Sequence, residues 1–269
     1  MEITAGLVKE LREKTGVGMM DCKKALTETN GNFDEAIKYL REKGLAQASK
    51  KSDRDAKEGH IFAQTGTTKG VIAEVNCETD FVANNDAFAA FGAKILDLAV
   101  ANPSVKTGDD LQGLTVDGKS FKEFVSEFVF KMGENITIGN IAVYESAGNV
   151  YSYIHSNGKI GVLVEFSGNA SEEIGKDIAM HIAASAPTYV QPSEVSAADV
   201  EREKEIIKNQ ALNEGKPEKI LDKIIEGRIS KFYKDVCLNE QAFVKDPEKA
   251  VKDILPAGVI VTRFVRYSL

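Results

Sequence analysis

The residues best suited to chemistry lie together at positions 76–83, where the sequence is NCETDFVA. Cys77 next to Glu78 suggests a cysteine nucleophile, but such a residue needs a base within hydrogen-bond distance, and no motif supplies one. Asp80 and Phe81 are unusual because a carboxylate, a large aromatic and a β-branched residue stand side by side and cannot all face one core. We therefore interpret this segment as a probe that contacts a partner protein.

A purely structural interpretation of the same segment is also open. Thr79 can cap a helical turn, Asp80 can favour the N-terminus of that turn, and Phe81 can belong to the core. Local pattern alone does not separate this interpretation from the first one.

The remaining chemistry-bearing residues predict neither a metal site nor a nucleotide site. There is no GxxxxGK[ST] motif, so no P-loop is expected. His60, His155 and His181 lie far apart and lack the companions of known metal motifs. His181 stands between apolar neighbours, which is typical of a packed, hydrogen-bonded histidine. We expect no cofactor and no metal ion held by this chain.

Composition indicates a water-soluble protein of the cytoplasm. The formal net charge is -7 and the pI is about 5.2, which argues against direct binding of nucleic acid. No apolar run is long enough for a membrane span, and the N-terminus has neither the basic nor the apolar region of a signal peptide. Three distant cysteines are expected to stay reduced.

The elements that position the segment predict an α+β protein of several domains. Residues 1–54 predict three short helices and a polar linker, with caps at Thr4 and Asn32 and with Gly44 ending the third helix. This pattern resembles a ubiquitin-associated (UBA-like) domain. The rest of the chain is expected to form a first core subdomain over 55–145, a second core subdomain over 146–192 and 239–269, and a helical hairpin over 193–238.

The two core subdomains share one sequence pattern. Residues 70–75 (GVIAEV) and 161–166 (GVLVEF) lie 91 residues apart, and each is followed by a short loop and an amphipathic helix. We infer a duplicated core of small antiparallel sheets packed with helices. The corresponding loop of the second copy contains residues 169–171, where the sequence is NAS, and it has no counterpart of Asp80 or Phe81. The frame is therefore repeated without the probe, which favours the interpretation that Phe81 contacts a partner.

The segment between the two parts of the second subdomain has a different pattern. Residues 197–213 and 217–236 predict two long helices with alternating charges, separated by a Gly-Pro turn. Their apolar positions suit a narrow seam, as in an antiparallel helical hairpin. We expect this hairpin to project from the body. Residues 258–267 predict a last strand that corresponds to residues 136–144 of the first subdomain.

Two long stretches of the sequence carry a family resemblance. Residues 3–26 (ITAGLVKELREKTGVGMMDCKKAL) and 75–88 (VNCETDFVANNDAF) resemble the two signatures of the bacterial elongation factor Ts family. Residues 177–187 and 215–228 also look like family segments, so the resemblance covers nearly the whole chain. Members of this family are nucleotide-exchange factors for the translational GTPase EF-Tu.

The resemblance implies a role for each residue of the probe. EF-Tu holds GDP through its P-loop and a Mg²⁺ ion, and the family's corresponding segment enters beside that ion. Phe81 would then be a wedge within the GTPase domain, and Asp80 would disturb the network around Mg²⁺. Thr79 and Val82 would shape the loop. Displacement of Mg²⁺ would release GDP and allow GTP to bind, with no covalent chemistry by this protein.

The resemblance also implies further contacts with EF-Tu, in its GTPase domain and in a second domain. The implied contact residues are Arg12, Met19 and Met20 in the N-terminal helices, and His181, Phe243 and Val244 in the second half of the chain. An adaptor or scaffold built from a UBA-like module and a helical hairpin remains the alternative. Such an adaptor would bind its partner without accelerating GDP release.

Overall fold

A computed structural model of the chain describes residues 3–269. It confirms an α+β protein in which small antiparallel sheets pack against helices. The chain divides into two compact units. One unit contains the chain up to Phe62, Ala73–Val143 and Leu269, and the other contains Ala63–Ile72 and Tyr144–Ser268. Among the described residues, no helix has the length and apolar character that crossing a membrane requires.

The chain begins with three helices, α1 (Ala5–Thr15), α2 (Met19–Glu28) and α3 (Phe33–Lys51). The predicted caps of α1 and α3 are confirmed, since Thr4 accepts a hydrogen bond from the Leu7 N–H and Asn32 accepts one from the Glu35 N–H. Their shared core is built from Val8, Leu11, Val17, Cys22, Ala25, Leu26, Ala36, Leu40 and Phe130.

The prediction that Gly44 ends α3 is wrong, because the helix continues to Lys51. Gly44 is buried, and a Cβ added there would lie 3.4 Å from the Cβ of Phe130. A glycine inside a helix costs about 1 kcal/mol relative to alanine. Here it allows Phe130 to pack closely against α3, so this glycine serves packing and does not end the helix.

The first sheet contains β1 (Glu58–Thr65), β2 (Lys69–Cys77) and β5 (Thr137–Glu145), with β2 in the centre. Between β2 and β5 the chain forms α4 (Asp80–Ala83), α5 (Asp86–Ala101), the two-stranded ribbon β3 (Thr115–Val116) and β4 (Lys119–Ser120), and α6 (Phe121–Met132). Aromatic rings join α5 to α6, and the Phe91 and Phe128 rings stack with centroids 4.2 Å apart. This packing holds α5 and α6, the two long helices that follow β2, against each other.

The second sheet contains β6 (Val150–Ile154), β7 (Ile160–Phe166) and β10 (Val261–Ser268). Both outer strands pair antiparallel with the central strand β7. The other elements of this part are α7 (Glu172–Ser185), α8 (Ala197–Asn213), α9 (Leu221–Val236), β8 (Ala242–Phe243), β9 (Asp246–Ala250) and α10 (Val251–Ile254). A 3-10 turn, Glu218–Ile220, precedes α9, so this helix begins four residues later than the sequence predicted.

The strand orders of the two sheets agree with the predicted duplication. In each sheet the second strand of a hairpin is central, and the last strand of the repeat pairs with its free edge. The central strands begin 91 residues apart, at Lys69 and Ile160. The two halves differ after the central strand. α4 stands between β2 and α5, whereas residues 167–171, between β7 and α7, contain no helix.

Candidate functional site

The segment after β2 forms a single helical turn whose start is capped by Thr79. The Thr79 hydroxyl accepts a hydrogen bond from the Val82 N–H at 3.4 Å, and the Ala83 N–H donates to the Thr79 carbonyl at 3.1 Å. Asp80 is exposed in the first turn, where a carboxylate interacts favourably with the free backbone N–H groups. The Asn84 amide donates to the Asp80 carbonyl at 2.8 Å and closes the turn. α4 is therefore a small, well-bonded structure.

Phe81 lies on the outside of this turn. Its side chain is 85% exposed, the largest value among the big apolar side chains in the described part of the chain. The structural interpretation of the segment is thus right about the cap at Thr79 and wrong about Phe81, which is not in the core. Leaving a phenylalanine in water forgoes about 1.5–3 kcal/mol of burial free energy. In the described part of the chain no side chain covers the ring, so its burial would require another molecule.

The loop that enters α4 is held by a carboxylate from another part of the chain. Glu134, which follows α6, accepts hydrogen bonds from the Glu78 N–H at 3.1 Å and the Thr79 N–H at 3.0 Å through Oε2. Its Oε1 accepts the Thr79 hydroxyl at 2.6 Å. The sequence analysis did not identify Glu134. No local signal marks this residue, because its partners lie more than fifty positions earlier in the sequence.

Cys77 is a structural residue of this loop. Its side chain is fully buried, and its thiol donates to the Thr79 carbonyl at 3.1 Å. Burial raises the pKa of the Cys77 thiol to about 11, so the group is protonated at neutral pH. A protonated, buried thiol is a poor nucleophile. Within the described residues, no group of three or more His, Cys, Asp or Glu side chains is arranged to hold a metal ion.

The candidate contact residues of the N-terminal helices are all accessible. Arg12 is exposed on α1. Met19 and Met20 open α2 with 49% and 76% of their surface exposed. Both of these adjacent methionines therefore face the solvent. Flexible, polarisable methionine side chains are well suited to a protein contact surface.

The candidate contact residues of the second half differ from one another in exposure. His181 is completely buried and Phe243 nearly so, whereas Val244 is 42% exposed. The His181 and Phe243 rings lie 5.9 Å apart. Of these three residues, Val244 is the one that offers an accessible side chain.

The hydrogen bonds of His181 define its protonation state. The Val244 N–H donates to Nδ1 at 3.2 Å, so Nδ1 must be unprotonated. Nε2 then carries the proton and donates to Gln241 Oε1 at 2.9 Å. The Gln241 amide is oriented by its own donation to the Asp235 carbonyl at 2.8 Å. His181 is therefore a neutral imidazole that holds the segment containing Val244.

The neutral state of His181 predicts a pH dependence of stability. Burial lowers the pKa of His181 below its ordinary value of 6.5, so the unfolded chain binds a proton more readily than the folded one. This contribution to the free energy of unfolding is complete above pH 6.5 and is lost as pH falls through the lowered pKa. Urea unfolding of the wild type and His181→Gln between pH 7.5 and about 5 checks this, and we expect a shallower decline in the variant. Identical slopes would show that the pKa of His181 does not differ between the folded and the unfolded chain.

One comparison with known proteins bears on the site. The family model for elongation factor TS matches residues 78–269, which is well over half of the chain and includes the capped turn, Glu134 and the whole of the second sheet. The matched region begins one residue before Thr79. The chain therefore belongs to the elongation factor Ts family, whose members act in protein synthesis as partners of EF-Tu.

Proposed function

We propose that this protein is a guanine nucleotide-exchange factor that binds EF-Tu·GDP and releases GDP by displacing Mg²⁺ from the phosphate site. The observation that carries the proposal is the exposure of Phe81 on a turn whose base is fixed by Glu134. Family membership supports EF-Tu as the partner. The assignment of roles within the turn rests on its geometry and on the family resemblance.

The mechanism needs no covalent step. Mg²⁺ bridges the nucleotide phosphates and neutralises their charge, so its displacement leaves their mutual repulsion uncompensated. Phe81 enters the GTPase domain as a wedge, and Asp80 brings a negative charge to the network around the ion. Because this protein binds nucleotide-free EF-Tu more tightly than EF-Tu·GDP, GDP must weaken the complex by the same factor.

A rigid turn suits this task better than a flexible loop. Ordering a loop on binding costs free energy that is subtracted from the affinity. Thr79 and Val82 are joined by the cap, and the base of the turn is held by three hydrogen bonds to one carboxylate. The turn can therefore present Phe81 and Asp80 with little further ordering.

Further contacts must hold the two proteins together while Phe81 is inserted, and the accessible candidate residues can provide them. Arg12, Met19 and Met20 provide a cation and two apolar side chains for the GTPase domain of EF-Tu. Val244 provides an apolar contact in the second half, while the buried His181 and Phe243 support its segment. We propose that these groups hold the complex together while the turn acts on the nucleotide site.

The direct test is stopped-flow release of a fluorescent GDP analogue from EF-Tu. Catalytic amounts of this protein should accelerate release, and each molecule should act on many EF-Tu molecules. Binding to EF-Tu without faster release would contradict the proposal and would support the adaptor alternative.

The proposed role of Asp80 predicts a dependence on Mg²⁺. At millimolar Mg²⁺, Asp80→Asn should accelerate GDP release less than the wild type does, because the neutral amide disturbs the ion's network less. When Mg²⁺ is chelated, the two proteins should give the same rate. The same assay with and without chelator measures this.

Asp86→Asn is a matched control for this prediction. Asp86 is an exposed carboxylate in the first turn of the neighbouring helix α5, and its substitution should leave the rate unchanged at both Mg²⁺ levels. An Asp80→Asn defect that persists unchanged in the chelator would mean that Asp80 acts independently of the ion.

A further inference from the structure

The turn after α6, which we call the brace, contains Gly133, Glu134 and Asn135. Glu134 uses both carboxylate oxygens to bind residues 78–79, which form the base of the turn at residues 78–83 that we call the exchange turn. The Asn135 N–H donates in return to Glu78 Oε1 at 2.7 Å. Four hydrogen bonds therefore join residues 78–79 to the brace. Hydrogen bonds to an ionised carboxylate are stronger than neutral ones, so this junction is firmly held.

The hydroxyl of Thr79 transmits this restraint to the helical turn. It donates its single proton to Glu134 Oε1 and accepts the Val82 N–H. A hydroxyl has one proton to donate, so the bond to Glu134 fixes how its lone pairs point. The carboxylate thereby orients the cap of α4, and α4 carries Asp80 and Phe81.

The brace also contacts the end of α3. The side-chain amide of Asn135 is buried and donates to the carbonyls of Arg54 at 2.8 Å and Ser52 at 3.4 Å. The Lys51 ammonium donates to the Gly133 carbonyl at 2.5 Å. Gly133 has φ of +80°, a backbone conformation that glycine adopts without strain and that directs the next two residues away from α6. The brace thus bonds to the end of one helix and to the exchange turn.

We infer that Glu134 is a positioning residue for nucleotide exchange, which holds α4 so that Phe81 and Asp80 meet EF-Tu in one fixed orientation, with Asn135 tying this turn to the end of α3. The inference rests on the proposed exchange function. Its structural part, the restraint of the turn, is independent of that function and can be measured on the free protein.

The first test is amide hydrogen exchange of the free protein, followed by NMR in the wild type and Glu134→Gln. The substituted amide keeps the size of the side chain but loses its charge and one acceptor oxygen. We expect the amides of Glu78, Thr79 and Val82 to exchange faster, with those of the α6 core unchanged. Unchanged exchange at residues 78–82 would overturn the inference whatever the protein does to EF-Tu. Global loss of protection would also overturn it, because the carboxylate would then hold the fold as a whole.

The second test is the GDP-release assay with a double-mutant cycle. Misplacement of a reacting group by about 1 Å can cost on the order of a hundredfold in rate, and we expect Glu134→Gln to lower the saturating release rate by about tenfold. The half-saturating concentration should change much less. In the Phe81→Ala background the same substitution should have little further effect, since Glu134 acts through the turn.

Glu127→Gln is the matched control, because Glu127 is a carboxylate on α6 that pairs with Lys119 and has no bond to the exchange turn. It should release GDP as the wild type does. An equal loss for Glu134→Gln with and without Phe81 would overturn the positioning role, as would a wild-type rate in Glu134→Gln. If the wild type itself fails to accelerate release, the proposed exchange function fails, and the hydrogen-exchange result still decides whether the brace restrains the turn.

Discussion

Replacing Phe81 with alanine is expected to remove most of the acceleration of GDP release while the protein stays folded. The ring is 85% exposed, so its removal leaves no cavity in this structure. Aromatic anchors at protein interfaces commonly contribute about 2–4 kcal/mol to binding, which corresponds to a rate loss on the order of thirtyfold or more if the contact forms only with nucleotide-free EF-Tu. Stopped-flow GDP release measures the first effect and thermal unfolding the second.

Ile260→Ala is the matched control for Phe81→Ala. Ile260 is also a large, exposed apolar side chain, at 58%, but it lies in the second half of the chain, away from the exchange turn in the sequence. Its substitution should leave both GDP release and stability unchanged. If Phe81→Ala unfolds the protein, or releases GDP as fast as the wild type, Phe81 is not the wedge.

Replacing Phe88 with alanine, seven residues later, should instead lower the stability of the fold. Phe88→Ala is expected to lower the free energy of unfolding by about 3–5 kcal/mol, because it removes a fully buried ring from a tightly packed cluster. The Phe88 ring lies 5.8 Å from that of Phe62 and 6.5 Å from that of Phe128. Urea unfolding monitored by circular dichroism measures the change.

Phe81→Ala serves here as the control, since an exposed substitution should change stability by no more than about 0.5 kcal/mol. A loss below about 1 kcal/mol in Phe88→Ala would mean that the cluster repacks around the missing ring. The two variants therefore distinguish Phe81, which we expect to contact the partner, from Phe88, which stabilises the fold.

The fold was largely predictable because its elements are long and their apolar residues are regularly spaced. The helix α8, Ala197–Asn213, has the bounds that the sequence pattern indicated. The end of α3 was not predictable in this way. A glycine after an apolar helical pattern is a common signal for the end of a helix, but Gly44 lies inside α3 and packs against Phe130, a residue far along the chain.

The candidate site was predictable in part. Composition and the missing counterpart in the second half pointed to residues 79–82, and the cap at Thr79 was foreseen. Pattern could not determine whether Phe81 faced the core or the solvent, since a residue one turn from a buried strand can do either. Glu134 could not be found at all, because a hydrogen bond between distant segments leaves no periodic trace in the sequence.

The absence of any helix between β7 and α7 shows that the repeated frame is complete without a turn like α4. α4 is in this respect an addition to a structure that closes on its own. A substitution at an exposed position of this addition, such as Phe81, leaves the packed core unchanged, so the surface that the turn presents can change while the scaffold is kept. Duplication of one sheet-and-helix unit, with a helical turn present in only one copy, accounts for the strand orders of both halves and for their difference after the central strand.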